Sequence, residues 1–209
     1  MGLLLQAKKG LEKAMDVLKL IKDRKTIRKY TNKSVPQNIL NKIIEAGIWG
    51  PSLMAPGLQP WQFIVVKNKK TICRISRIML DKSKITGAGG NIILRTSSET
   101  IFNAKVIIVI CNSSSAVNLV KRFSEAYINF AKSAELAAIS AAIQNMILTA
   151  ESLGIGSCWL DAPLFCKNEI EKLLSADGQL VAILSLGYAA EKGRRSPRKA
   201  FKEIVRYIK

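Results

Sequence analysis

The segment Arg24–Arg28, "RKTIR", sets cations around a hydroxyl at close spacing. Arginine presents forked donors that match phosphate oxygens, and Thr26 adds a hydroxyl, so the segment suits a ligand carrying a phosphate and a polyol. Alone, it fits a solvated basic turn better than a site. Three further stretches stand out: "PSLMAPGLQPW" from Pro51 to Trp61, "QNMILTAESLGIGSCWLDAP" from Gln144 to Pro163, and "LGYAAEKGRRSPRKAF" from Leu186 to Phe201. The first is stiffened by three prolines yet carries Leu53, Met54, Leu58 and Trp61, which a solvated linker has no use for. Histidine is absent from the chain. That removes the commonest zinc ligand and the usual base of a Ser/His or Cys/His nucleophilic site. There is no Walker loop, GxGxxG or catalytic triad pattern, and the four cysteines lack CxxC spacing, so no metal site is expected.

The elements that must position these stretches follow from hydrophobic periodicity. Residues 11 to 23 place Leu11, Met15, Leu18 and Ile21 at helical spacing. Ser34 is a candidate cap and Pro36 suits a first turn, so "QNILNKIIEAGIW" reads as a helix burying Ile39, Leu40, Ile43 and Ile44. "WQFIVV" reads as a strand and "KKTICRISRIML" as a helix with Ile72, Ile75, Ile78 and Met79 inward. The Gly- and Ser-rich stretch 82 to 100 is expected to be a mobile loop or lid. "KVIIVIC" is a β-branched run suited to a strand covered on both faces. Helical material follows from about 119 to 152, with a break expected near Lys132 and Gly154 placed to cap its end. "GSCWL" and "QLVAILSLGY" read as strands, with the helix "KNEIEKLL" between them. Strands separated by helices, with no repeat and no linker, predict one layered domain of α/β type; their order leaves open whether the sheet is parallel.

Composition bounds the rest. A chain of 209 residues, 48% hydrophobic and 23% charged, is long enough for one sizeable core. The segment 134 to 150 is interrupted by Glu135, Gln144 and Asn145 and is shorter than the roughly 20 apolar residues a membrane span needs, so a buried helix is expected there and no membrane. The start lacks a basic region before its apolar patch, and the thiols have no staple-like pattern, which together predict a cytoplasmic protein with reduced cysteines. The net charge of +18 raises the question of a polyanion. With no helix-turn-helix, RNP-like or zinc-finger pattern, nucleic acid is not the expected partner, and a phosphate-bearing small molecule suits the local clusters.

Taken in order and spacing, the four stretches resemble the nitroreductase family of FMN-dependent NAD(P)H oxidoreductases. The resemblance rests on "RKTIR", on Pro51-Ser52 followed by Gln59-Pro60-Trp61, on Gln144-Asn145 running into "LGIGSCWL", and on "LGY" before a basic run. It extends from about Met15 to the C-terminus, leaving residues 1–14 as an N-terminal extension and 15–209 as a single FMN-binding domain. It implies an α+β fold, a central mixed or antiparallel sheet flanked by helices, in an intertwined homodimer. It further implies hydride transfer from NADH or NADPH through FMN to a nitroaromatic, quinone or similar small-molecule acceptor, by a ping-pong mechanism that needs no catalytic side chain. Carried over position by position, Arg24, Lys25, Thr26 and Arg28 match the segment holding the FMN phosphate and ribityl chain, with Arg28 near the pyrimidine end of the flavin, and Arg198 matches a second phosphate ligand. Pro51, Ser52 and Leu53 match a loop bordering the flavin of the other subunit. Leu160, Asp161 and Ala162 match the place where backbone approaches the flavin N5. The loop from Pro51 is two residues longer than the family pattern and has Gly57 in place of its asparagine, which leaves room for a specialised flavin reaction such as dehalogenation or flavin fragmentation. From another class, the alternative is a basic, non-catalytic polyanion-binding protein.

Overall fold

The computed structural model describes residues 17–52 and 57–208; the extension 1–14 and Leu53 lie outside them. Four strands, β1 (Trp61–Val66), β2 (Val106–Asn112), β3 (Gly156–Leu160) and β4 (Gln179–Gly187), form one sheet in the order β1-β2-β4-β3. Every neighbouring pair is antiparallel, with Val65 opposite Ile108, Ile108 opposite Leu184, and Leu184 opposite Trp159. The sheet is thus antiparallel, the point that strand order alone left open.

Helices cover both faces. Residues 17–23 are helical (α1), followed by α2 (Gln37–Ile48), α3 (Lys69–Ile85), α4 (Ala88–Asn103), α5 (Ser115–Val120), α6 (Glu125–Ser152), α7 (Lys167–Leu174) and α8 (Phe201–Ile204). Strand β2 shows why two helical layers are needed. Ile107, Val109 and Cys111 point into a core shared with Ile72, Ile75 and Met79 of α3 and Leu94 and Ile101 of α4. Val106, Ile108 and Ile110 point the other way, against Leu40 and Ile43 of α2 and Ile139, Ile143 and Met146 of α6. Period-2 alternation with both faces apolar demands cover on each side, and each fully buried aliphatic side chain contributes about 1.5–3 kcal/mol relative to exposure.

The junction of α2 and α6 is unusually close. A Cβ on Gly47 would lie 2.8 Å from Met146, and one on Gly50 would lie 3.0 Å from Ala142. Asn145 Nδ2 donates to the Ala46 carbonyl at 3.2 Å, tying the end of α2 to the middle of α6. Gly154 ends α6 at φ +71°, with its N–H donating to Glu151 and that of Ile155 to Ala150, so the chain turns directly into β3.

Several sequence expectations need correction. Residues 82–100 are not a loop: α3 continues to Ile85 and α4 occupies Ala88–Asn103. Leu94, Ser97, Ser98 and Ile101 recur on one face and are buried there, and the hydroxyls of Ser76 and Ser98 lie 2.9 Å apart across the α3–α4 contact. Small polar residues that weaken helix propensity here permit close helix packing, so tertiary contact overrides composition. Helix α6 runs unbroken through Lys132. The cap of α2 is Pro36 rather than Ser34, with no side-chain hydrogen bond. Leu18 and Ile21 are exposed on α1 despite their helical spacing.

Candidate active site

The "RKTIR" segment is held as an extended strip between β3 and the chain that follows β4. Thr26 bridges Ser157 on one side and Arg194 on the other, and Tyr30 bridges Ala189. The Ile27 N–H donates to the Ser157 carbonyl at 2.9 Å, the Thr31 N–H to Tyr188 at 2.8 Å, and the Ala190 N–H to Lys29 at 2.9 Å. A single carboxylate oxygen of Glu191 accepts from the N–H groups of Arg28, at 2.6 Å, and Lys29, at 3.2 Å. Ile27 and Tyr30 face inward and are buried. Gly156 makes room for the first: a Cβ there would lie 2.9 Å from the Ile27 side chain.

This strip forms one wall of a cleft of about 450 Å3. Arg24, Lys25 and Thr26 line its half-buried floor, and Lys22, Arg194, Arg195 and Arg198 its exposed rim; Ser196, Ile21 of α1 and Gln144 of α6 complete it. Arg24 Nη1 donates to Thr26 Oγ1 at 3.2 Å, so a guanidinium and a hydroxyl are presented together. Six cations line the cleft, and no described lining residue is acidic. Asp23, beside it, pairs with Arg195. Such an arrangement suits a dianionic phosphate, with charge-assisted bonds strengthened where Arg24 is partly shielded from water.

The sequence candidates divide on this geometry. Arg24, Lys25, Thr26 and Arg198 come together in the cleft. Arg28 does not line it; its side chain is exposed, and its charge acts with that of Arg24 on the Cys158 thiol of β3. Burial outweighs both cations and pushes that thiol up to about 11, which marks it as packing rather than as a nucleophile. Leu160 and Ala162 are buried at the far end of β3, whereas Asp161 is exposed. Asp161 and Ala162 line a second, apolar groove of about 460 Å3 with Ile93 of α4, Leu164 and Phe165. Trp159 Nε1 donates to Asp161 Oδ1 at 2.6 Å, fixing the carboxylate at the groove's edge. Ser157 and Asp161 are four residues apart, roughly 13 Å at strand rise, so the cationic and apolar recesses adjoin opposite ends of β3. Pro51 and Ser52 are exposed beyond α2 and line neither.

A third recess, of about 470 Å3, is walled by Val120 of α5, Phe123, and Ala126, Tyr127 and Phe130 of α6. Its frame depends on Glu135, only 2% exposed, whose carboxylate accepts from the N–H of Ala116 at 2.6 Å, the N–H of Val117 at 3.2 Å and Asn112 Nδ2 at 2.8 Å.

Sequence reasoning passed over Lys22 and Ile93. Lys22 sits on α1 without a motif, and Ile93 lay in a stretch read as loop. Gln144 stood inside a quoted stretch but was not singled out as a site residue, because its place on a helix does not show which face meets the cleft; Arg194 and Arg195 were read only as cations that could compensate for Ser196, and all three line the cleft.

The nitroreductase family model matches residues 21–188. A candidate NADH dehydrogenase/NAD(P)H nitroreductase of Methanothermobacter thermautotrophicus is 31% identical over 186 residues, covering 87% of this chain and 82% of that protein. The fold is similar to that of a BluB-like flavoprotein from Clostridium difficile 630, with a TM-score of 0.76 at 23% identity over 92% of this chain and 99% of the other. It is also similar to a candidate nitroreductase in complex with FMN from Desulfovibrio desulfuricans, with a TM-score of 0.66 at 26% identity, covering 92% and 96%.

Proposed function

We infer the activity from one premise: this chain belongs to the nitroreductase family. It is an oxidoreductase that uses FMN, with NADH or NADPH as reductant. The observation that carries the cofactor assignment is the cleft itself, where Arg24 and Thr26 offer a guanidinium and a hydroxyl side by side among six cations. Those donors fit a phosphate attached to a polyol, and Lys25 and Arg198 add charge without a lining carboxylate to oppose them. When bound, FMN would supply a two-electron carrier between the nicotinamide and a nitroaromatic, quinone or similar acceptor in a ping-pong cycle.

The protein's own contribution is positioning and electrostatics. Arg24, Lys25, Thr26 and Arg198 anchor the phosphate end. Near the other end of β3, Leu160, Asp161 and Ala162 offer main-chain groups, and the apolar wall of Ile93, Leu164 and Phe165 favours flat apolar molecules while thinning the water around them. Arg28, outside the cleft, places a positive charge beside the same strand, where it favours a ligand that gathers negative charge on reduction.

The working unit is a homodimer. Its support is the apolar surface left uncovered by one chain: Phe123, Tyr127 and Phe130 are 56–61% exposed, and Trp49, Phe201, Ile204 and Tyr207 are more exposed still. Uncovered area of this kind marks an interaction surface. In the dimer Pro51 and Ser52, exposed beyond α2, border the partner's flavin. The four cysteines are free thiols, which suits a cytoplasmic enzyme. Steady-state kinetics with NADH or NADPH and menadione test the reaction: parallel double-reciprocal lines are expected, and the absence of turnover by FMN-loaded protein would overturn the proposal.

A further inference from the structure

Strand β4 reads "QLVAILSLG", and its one hydroxyl, Ser185, is fully buried in the middle of the sheet. A polar group in such a place costs stability unless it is partnered; the Cys158 carbonyl lies 3.4 Å from it, and its nearer partner is Tyr30, at the end of the segment that builds the phosphate cleft. The Tyr30 hydroxyl lies 2.6 Å from the Ile27 carbonyl and 2.8 Å from Ser185 Oγ. One proton and two lone pairs satisfy both contacts if Tyr30 donates to Ile27 and accepts from Ser185. Burial raises the Tyr30 pKa far above the usual range, so the hydroxyl keeps the proton it donates.

Residue 27 is thereby held at both ends. Its N–H is bonded to Ser157 of β3, and its carbonyl to a side chain rooted on β4 through Ser185. The ring sits where Gly187 leaves space, since a Cβ there would lie 2.8 Å from Tyr30 Cδ1. Thr26 precedes this doubly held residue directly, and Thr26 Oγ1 in turn receives the Arg24 guanidinium. Neither Tyr30 nor Ser185 lines the cleft, so any influence on a ligand passes through the backbone they hold.

We propose that Tyr30 and Ser185 are positioning residues that set the site's preference for phosphorylated over unphosphorylated flavin, by fixing the main chain that presents Arg24 and Thr26. The proposal rests on the FMN reading above. Without the Tyr30 hydroxyl the Ile27 carbonyl is left buried and unpartnered, and the peptide that follows gains by rotating toward water. That rotation displaces the main chain directly after Thr26 and loosens the phosphate end, whereas the groove around Asp161 and Ala162 lies at the opposite end of β3.

The test is flavin-fluorescence titration of the whole protein with FMN and with riboflavin. Tyr30→Phe keeps the ring over Gly187 and is expected to weaken FMN binding about tenfold while riboflavin binding stays within about twofold. Ser185→Ala leaves the Tyr30–Ile27 bond in place and is expected to lower the FMN-to-riboflavin ratio in the same direction by a smaller factor; it decides the matter if Tyr30→Phe fails to fold. An equal loss for both flavins, or an unchanged ratio in the folded variants, overturns the positioning role. Wild-type protein that binds neither flavin would instead overturn the FMN reading, so the two failures are separable.

Discussion

The cationic cleft and the aromatic recess at the start of α6 are similar in volume, about 450 and 470 Å3, and opposite in state. The cleft draws on three separate segments of one chain and already holds its donors in place, with Arg24 bonded to Thr26 and Asp23 paired to Arg195. The recess is well framed from below by Glu135 yet presents Phe123, Tyr127 and Phe130 to solvent. An anion site can be completed within a subunit because its counter-charge arrives with the ligand. An apolar surface is completed only by other apolar surface, here assigned to a second copy of the chain.

The largest expected effect breaks the recess from beneath. Glu135→Ala removes a buried carboxylate from three donors and is expected to cost about 3 kcal/mol or more of stability, measured by urea unfolding; a loss below about 1 kcal/mol would show that the frame does not depend on it. Next, Arg24→Ala should cost FMN binding about 1.5–3 kcal/mol while leaving the dimer constant unchanged, since only the cleft is altered. Conversely, Phe130→Ser should weaken self-association by about 1.5–3 kcal/mol in sedimentation equilibrium, as expected for uncovering one aromatic side chain. Retained association in that variant would move the interface elsewhere. The smallest effect concerns three thiols of the core packed against α3 and α4, which line neither region. Burial holds Cys111, Cys158 and Cys166 near about 11, above the ordinary thiol value. Raising the pH from 7 to 9 therefore leaves each only about 1 in 100 thiolate. Iodoacetamide should spare them in the folded protein at both pH values, as peptide mass spectrometry would report.

Much of this contrast was legible in the sequence, for identifiable reasons. Alternating or continuous β-branched runs such as "VIIVIC" announce strands, and each of the four was located to within a residue or so. Arg24, Lys25 and Thr26 stood out because cations and a hydroxyl at short spacing suit an anion, whereas Arg198 was reached only through the family resemblance; all four line the cleft. The α4 helix was hidden: its glycines and serines mimic a loop, and only its contact with α3 through Ser76 and Ser98 reveals why small residues are there. Ile93 was lost with it. The role of Tyr30 and Ser185 was equally invisible, because residues 155 apart in sequence meet only through the order in which the sheet is assembled.

An anaerobic spectrophotometric titration bears most directly on the proposed chemistry. Protein loaded with FMN should be yellow, with about one flavin per chain, and its absorbance near 450 nm should bleach on addition of NADH or NADPH and return on addition of a quinone. Protein that takes up no FMN, or whose bound FMN stays oxidised in the presence of both nicotinamides, would contradict the assignment of the cleft and of the reaction.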